Sequence, residues 1–164
     1  MLFSDFILRI HIKTDLPVLY QAWATPAGIE SWFLRKAGYT DDNGVVRKPN
    51  EFVAPGDHYT WLWYGYDDSV AEQNEVLEAD GQAVFKFGFS GGCIVTIELK
   101  KQDNGLVCCT LTQQMPQKEE SDRRHFFIEC QKGWTFYLAN LKSICEGGLD
   151  LRNRDVSLGL VVNA

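Results

Sequence analysis

The feature of this sequence that most constrains its fold is one long amphipathic segment near the carboxyl end. Between Phe127 and Cys145, apolar residues recur at spacings of three and four, which is the period of a single helical face. They are Phe127, Cys130, Trp134, Leu138, Leu141 and Cys145. The pattern predicts a helix over about 122–146, ended by Gly147 and Gly148, and roughly 37 Å long at 1.5 Å per residue. Its stripe needs an equally long apolar surface to cover.

The region before this helix, from about 36 to 115, is typical of antiparallel strands. Short segments rich in β-branched and aromatic residues are separated by turn signals that contain Gly, Asp or Asn. These signals are DDNG (41–44), APGD (54–57), YDD (66–68), ADGQ (79–82), SGG (90–92) and QDNG (102–105). Connections this short favour hairpins over crossovers, so we expect about six strands of one antiparallel sheet.

Two shorter signals precede this sheet. Residues 5–14 alternate apolar and mostly polar side chains, as a half-buried strand does. Asp15 is placed to cap a helix, and Thr25 to cap a second, short helix that ends near Phe33. The order predicts an α+β domain in which one long helix lies across a curved antiparallel sheet of about 6–7 strands, with two short helices after the first strand.

The charge of the chain excludes several partners. Lysine and arginine total 16 against 22 aspartate and glutamate residues, so the formal net charge is −6. Binding to nucleic acid and attraction to anionic lipid both depend on basic surface, so we expect neither. No apolar run approaches the ~18–20 residues that span a bilayer, and none resembles a secretion signal. We therefore expect a cytoplasmic protein without a membrane span.

No metal or cofactor site is predicted. The five cysteines have apolar neighbours and no C-x-x-C spacing, which is typical of reduced thiols used as small hydrophobic residues. The three histidines share no ligand spacing. His58 is the best general-base candidate because it adjoins an aromatic run, although its place near a turn favours an exposed strand end. We assign no catalytic residue, and enzymatic activity is left open.

The segment 72–79 places carboxylates on both faces of a strand. Alternation puts Glu72 and Glu78 on one face and Glu75 on the other. Whichever face points inward therefore brings a carboxylate towards apolar surroundings, where burial raises its pKa. The alternative is a twisted strand near the sheet edge with both faces partly wet.

One long helix is narrow beside a sheet of this width, so we expect a cavity between the two. Its predicted lining combines inward-facing strand aromatics with the helix stripe, and Gln113 supplies a polar contact. The other lining residues are Trp61, Trp63, Phe85, Phe87, Trp134 and Leu138, with Trp32 and Phe33 at the entrance. The same rings could instead form ordinary core, because aromatic residues favour strands for packing alone.

Two stretches carry a family resemblance. Residues 18–33, VLYQAWATPAGIESWF, and residues 133–152, GWTFYLANLKSICEGGLDLR, resemble the motifs of the activator of heat-shock-protein ATPase homologues (AHSA-like), within the START-like (SRPBCC) superfamily. The resemblance implies the helix-grip fold, in which a curved sheet wraps around a long C-terminal helix. It also implies one domain over 1–152 and a C-terminal tail over 153–164.

The resemblance implies a class of function as well. Members of the superfamily hold lipids, sterols, polyketides or other hydrophobic molecules in an apolar cavity, some are cyclases or hydrolases, and one branch stimulates a chaperone ATPase. We therefore expect non-covalent binding of a small hydrophobic ligand. A chaperone-interaction module and a cavity enzyme are the alternatives, and an exposed edge strand leaves a homodimer open.

Overall fold

The computed structural model describes residues 2–116, 120–158 and 161–163. Its elements are β1 (Asp5–Ile12), α1 (Leu16–Ala24), α2 (Pro26–Glu30), β2 (Lys36–Thr40), β3 (His58–Leu62), β4 (Glu72–Ala79), β5 (Val84–Phe89), β6 (Cys93–Lys101), β7 (Val107–Gln114) and α3 (Glu120–Cys145). This confirms the α+β class with two short helices, seven strands and one long C-terminal helix. Residues 159, 160 and 164 of the predicted tail lie outside the described residues.

The seven strands form one antiparallel sheet in the order β1-β7-β6-β5-β4-β3-β2. Consecutive strands from β2 to β7 pair with each other, as predicted. The turns from β4 to β7 are short, whereas β2–β3 and β3–β4 are joined by the longer segments 41–57 and 63–71. β1 and β2 lie at opposite edges although only α1 and α2 separate them in sequence. β1 instead pairs with β7, so that Phe6 lies opposite Gln113 and Ile12 opposite Val107.

The inner face of the sheet follows the predicted alternation. On β6, every second residue from Cys93 to Leu99 is buried, and on β7 the same holds from Val107 to Gln113. β5 contributes Phe85 and Phe87, both buried. Burial of such side chains stabilises the fold by about 1.5–3 kcal/mol each before the entropy cost, so this face accounts for much of the core.

α3 lies along β1, and a hydrogen bond near each end of the helix joins it to β1 or to the residues just before that strand. Arg123 donates from Nε to the carbonyl of Leu2 at 3.0 Å, and Lys142 donates from Nζ to the carbonyl of His11 at 2.8 Å. Between them, the Phe127 ring packs against the first strand. The predicted helix bounds of 122–146 agree with the observed bounds to within about two residues, which is the usual uncertainty of a helix end.

The α1–α2 corner is built on a close approach. Thr25 caps α2 as predicted, since its Oγ1 accepts a hydrogen bond from the Gly28 amide at 3.0 Å. A Cβ atom on Gly28 would lie 2.0 Å from the carbonyl oxygen of Gln21, so only glycine fits there. The Asp15 side chain forms no capping hydrogen bond to α1, which corrects that part of the expectation. α2 ends at Glu30, earlier than the predicted end near Phe33.

β3 is shorter than predicted, and this changes the path of the chain that follows it. The aromatic run suggested a strand from His58 to Tyr66, but the strand ends at Leu62. The connection from 63 to 71 leaves the sheet and turns at Asp67, whose carboxylate accepts from the Ser69 amide at 2.9 Å. Trp63 therefore belongs to the connection and not to the same strand face as Trp61.

The chain after α3 is anchored by a cluster that we call the Arg152 clamp, formed by Asn140, Asp150 and Arg152. The Arg152 guanidinium donates to the carbonyls of Glu30, the last residue of α2, and of Ser31 and Leu34 at 2.9–3.0 Å. It also donates to the Asp150 carboxylate at 2.8 Å. Asn140, buried on α3, donates to the Trp32 carbonyl at 2.7 Å and accepts from the Leu151 amide.

Candidate functional site

The candidate site is a pocket of about 490 Å³ between the first half of α3 and the inner face of the sheet, which we call the helix pocket. Seven aromatic residues line it: Phe33, Trp63, Tyr66, Phe89, Phe126, Trp134 and Tyr137. Its polar lining residues are Glu72, Ser90, Glu129, Cys130 and Lys132. The remaining lining is Val70, Ala71, Gly133, Val161 and Val162, so the β3–β4 connection and the region near the end of the chain both contribute.

Phe33 is the centre of the aromatic wall. Its ring centroid lies 5.0 Å from that of Trp134, 5.8 Å from that of Trp63 and 4.7 Å from that of Tyr137. Phe89 completes the wall, with its ring 5.4 Å from that of Trp134. Such distances and tilts are those of well-packed aromatic pairs, so these rings form a fixed surface.

Glu72 brings a carboxylate into this apolar wall. It lies on the inward face of β4 and is half-buried, as the alternation of the strand allowed. Burial raises the pKa of the Glu72 carboxyl, while contacts with the Ser90 hydroxyl and the Asn74 amide partly oppose that rise. Among the residues that the structure describes, no Lys, Arg or His forms an ion pair with Glu72.

Asn74 can lie beside Glu72 only because β5 has a glycine opposite it. A Cβ atom on Gly88 would come within 2.0 Å of the Asn74 Oδ1 atom, so any larger residue would displace the amide. The carbonyl of Gly88 also accepts a hydrogen bond from the Tyr59 hydroxyl. The local sequence thus reserves space for a polar pair in an aromatic part of the core.

Gln113 is fully buried beneath the pocket and is not on its wall. Its Oε1 accepts from the Trp134 indole nitrogen at 2.7 Å, and its amide nitrogen lies 3.5 Å from the Met115 sulfur. Its amide also contacts the Cys130 thiol, whose pKa is raised mainly by burial. Gln113 therefore holds the Trp134 indole in place with the polar groups that were predicted to contact a ligand.

The predicted lining residues fall into two groups. Phe33, Trp63 and Trp134 line the helix pocket, while Trp61, Phe85, Phe87, Leu138 and Trp32 lie in the core. Trp32 is 0% exposed and donates its indole N–H to the Ala22 carbonyl at 2.9 Å, so it does not flank an entrance. No bound molecule tests the ligand contacts of either group, which stay predictions.

Three phenylalanine rings fill the space between Trp61 and Trp134. Phe33, Phe87 and Phe89 each contact both indoles, at centroid distances of 5.0–6.5 Å. This part of the sheet–helix interface is consequently solid, and the open volume is displaced towards the β3–β4 connection. Sequence reasoning missed Phe126 and that connection, because neither continues the strand periodicity or the chosen helix stripe.

The other chemical candidates lie away from the helix pocket. His58 is exposed on the outer side of the sheet, with its Nε2 atom 3.7 Å from Asp42. It borders a shallow depression of about 600 Å³ with Thr60, Gln73 and Glu75. Within the described ranges, no three His, Cys, Asp or Glu side chains are grouped closely enough to hold a metal ion. In the same residues, no helix is long and apolar enough to cross a bilayer.

The architecture defines a class of protein. A seven-stranded antiparallel sheet that wraps around a long C-terminal helix, with two short helices after the first strand, is the helix-grip fold of the START-like superfamily. Residues 13–146 match the family model described as Activator of Hsp90 ATPase homolog 1-like protein. The chain therefore belongs to this family. No curated protein matches it.

Solved structures share the fold over nearly the whole chain. Protein SSP2350 from Staphylococcus saprophyticus has a TM-score of 0.70 at 16% identity, with 96% of this chain and 98% of that one covered. The Aha1 dimer from Colwellia psychrerythraea gives 0.66 at 17% identity, with 88% and 97% covered. DynU16, from the dynemicin biosynthetic locus, gives 0.66 at 15% identity, with 92% of this chain and 50% of that one covered. Identities this low establish the fold alone.

Proposed function

We propose that this protein binds a small hydrophobic molecule non-covalently in the helix pocket. The observation that carries the proposal is the aromatic wall around an opening of about 490 Å³, a volume typical of small-molecule sites. Affinity comes from burial of the apolar body of the ligand against these rings. Orientation comes from the few polar groups at one side, chiefly Glu72 and Ser90.

Gly133 offers a direct test because it lies on the wall of the pocket in the middle of α3. A Cβ atom added there meets no other atom within 4 Å, so a larger side chain projects into open space and not into the core. Gly133→Leu should fill the pocket, and Gly133→Ala is its matched control. Both substitutions improve helix propensity, so loss of binding in the first cannot be attributed to unfolding.

Nile red, a neutral hydrophobic fluorophore, is the probe. We expect saturable fluorescence enhancement with the wild type and Gly133→Ala, and its loss with Gly133→Leu. Equal enhancement in all three proteins would overturn binding in this pocket. Native mass spectrometry of protein purified from its own host should, in addition, detect a bound molecule that is absent from Gly133→Leu.

The family match favours a second candidate function, stimulation of a chaperone ATPase. Its test is an ATPase assay with the Hsp90 of the same host. Stimulation that persists in Gly133→Leu would place that function outside the helix pocket, and no stimulation at any ratio would reject it. Because one structural neighbour is a dimer, sedimentation velocity of the pure protein would show whether this chain also self-associates.

A further inference from the structure

The charge distribution of the helix pocket points to the chemistry of its ligand. Glu72 is the half-buried charge, whereas Glu129 and Lys132 lie at the rim on α3 and are about half exposed. The rim charges neutralise each other, because the Lys132 Nζ atom is 3.6 Å from the Glu129 carboxylate. Among the charged lining residues that the structure describes, Glu72 is therefore the one whose charge no partner balances.

The aromatic walls of the pocket also favour a positively charged ligand. Aromatic faces carry negative electrostatic potential and attract cations, most strongly where water is excluded. Phe33, Trp63 and Trp134 provide such rings on the pocket wall. A half-buried carboxylate without a basic partner is costly by itself, and a ligand cation would satisfy it.

We propose that the ligand of the helix pocket is a hydrophobic amine or related organic cation, whose charged nitrogen pairs with Glu72 while its apolar body lies against the aromatic wall. This inference rests on the proposed function, since it names the ligand class for the same pocket. An anionic amphiphile such as a fatty acid is disfavoured because its carboxylate would face Glu72.

Apart from Lys132, the other titratable groups that the structure describes near Glu72 supply no positive charge. Cys130 and Tyr137 on α3 line the pocket, and Tyr59 on β3 lies in the core within range of the Glu72 charge. Burial raises the pKa of each, so all three are neutral at physiological pH. Glu72 is therefore the group whose ionisation controls cation binding. Amine affinity should fall as the pH is lowered and Glu72 becomes protonated.

Three probes with the same ring system separate charge from hydrophobicity: naphthylmethylamine, naphthylmethanol and naphthoic acid. Isothermal titration calorimetry at neutral pH should show that the amine binds about tenfold more tightly than the alcohol, as expected for a charge-assisted contact. The acid should bind most weakly. Glu72→Gln keeps the size of the side chain and removes its charge, so the amine and the alcohol should then bind alike.

Glu75→Gln is the matched control, because it makes the same charge change on the exposed face of β4. It should preserve the preference for the amine. If the wild type binds the amine no more tightly than the alcohol, or if Glu72→Gln still prefers the amine, the inference is wrong. Binding of the alcohol with no preference for the amine would leave the hydrophobic pocket standing, whereas no binding of any probe would count against both proposals.

Discussion

Beside the C-terminal half of α3, Asp150 is surrounded by donors, whereas beside the N-terminal half Glu72 faces the helix pocket with no basic partner among the described residues. Asp150 accepts hydrogen bonds from the Nε atom, the Nη2 atom and the backbone amide of Arg152, and Arg154 donates a further one. Burial alone would raise the pKa of Asp150, but these contacts hold it below its usual value. Burial prevails at Glu72 and raises its pKa.

The difference separates structural charge from charge that is available to a ligand. A paired carboxylate contributes to folding when it is ionised, because its partners stabilise the charged form. A half-buried carboxylate whose polar contacts do not offset its burial works against folding when it is ionised, and such groups are common at functional sites. The two regions should therefore respond with opposite signs to pH and to neutralisation.

The largest expected effect is the loss of stability that follows removal of the Arg152 side chain from the clamp. Arg152→Ala removes a guanidinium whose side chain is 1% exposed, so three carbonyls lose their donor and Asp150 loses the buried one of its two arginine partners. We expect the free energy of unfolding to fall by about 3–5 kcal/mol in chemical denaturation. Arg154→Ala is the control, since Arg154 binds the same carboxylate but is 57% exposed, and it should cost about 0–1 kcal/mol. Equal losses would contradict the role given to the clamp.

Acidification should weaken the clamp by a smaller amount. Asp150 binds a proton less readily in the folded state than in the unfolded chain, so its contribution is complete above the unfolded value of 3.8 and is lost as the pH falls further. Denaturation curves recorded across the acid range should therefore be steeper in pH for the wild type than for Asp150→Asn. Parallel curves would show that Asp150 does not control this part of the acid response.

Neutralising Glu72 should have the opposite sign. The folded state binds a proton at Glu72 more readily than the unfolded chain, so ionisation of this carboxyl above its unfolded-state pKa of 4.5 reduces stability. Glu72→Gln should thus stabilise the protein at neutral pH by about 1 kcal/mol, which raises the melting temperature by about 2–4 °C. The gain should disappear in acid, where both side chains are neutral. Destabilisation at neutral pH would mean that the contacts with Ser90 and Asn74 outweigh the cost of burying the charge.

The smallest expected effect is that of the control at the pocket wall. Gly133→Ala should raise stability by about 0.5–1 kcal/mol, because glycine inside a helix is less favourable than alanine by that amount. Its methyl group enters open space, so Nile red binding should change little. Thermal unfolding followed by circular dichroism measures the gain, and a loss of stability would show that the wall at Gly133 is more crowded than its geometry indicates.

Local periodicity was sufficient for the fold and for part of the site. The spacing from Phe127 to Cys145 predicted α3, and strand alternation allowed for the inward position of Glu72. The sequence could not locate the pocket, because its position depends on where β3 ends and on the path of residues 63–71. Nor could it predict the Arg152 clamp, whose carbonyl partners are more than a hundred residues away in sequence.

The aromatic run illustrates the same limit. Alternation placed Trp61 and Trp63 on one face and left open whether they reach Trp134. In the structure Trp63 lies on the pocket wall and Trp61 does not. Phe33, which follows α2, contacts the indoles of Trp61, Trp63 and Trp134. Because Phe33 follows no strand or helix pattern, its central place depends on tertiary packing that a single sequence does not encode locally.

The pairing of β1 with β7 has a consequence for biosynthesis. β1 is translated about a hundred residues before β7, so its apolar side chains and backbone edge cannot be covered until almost the whole domain has been translated. Strand pairings with so long a loop are slow to form, since chain entropy opposes them until late contacts are made. The nascent chain should therefore expose β1 for a time as an aggregation-prone segment. Ribosome-associated factors that cover such segments should improve the yield of native protein.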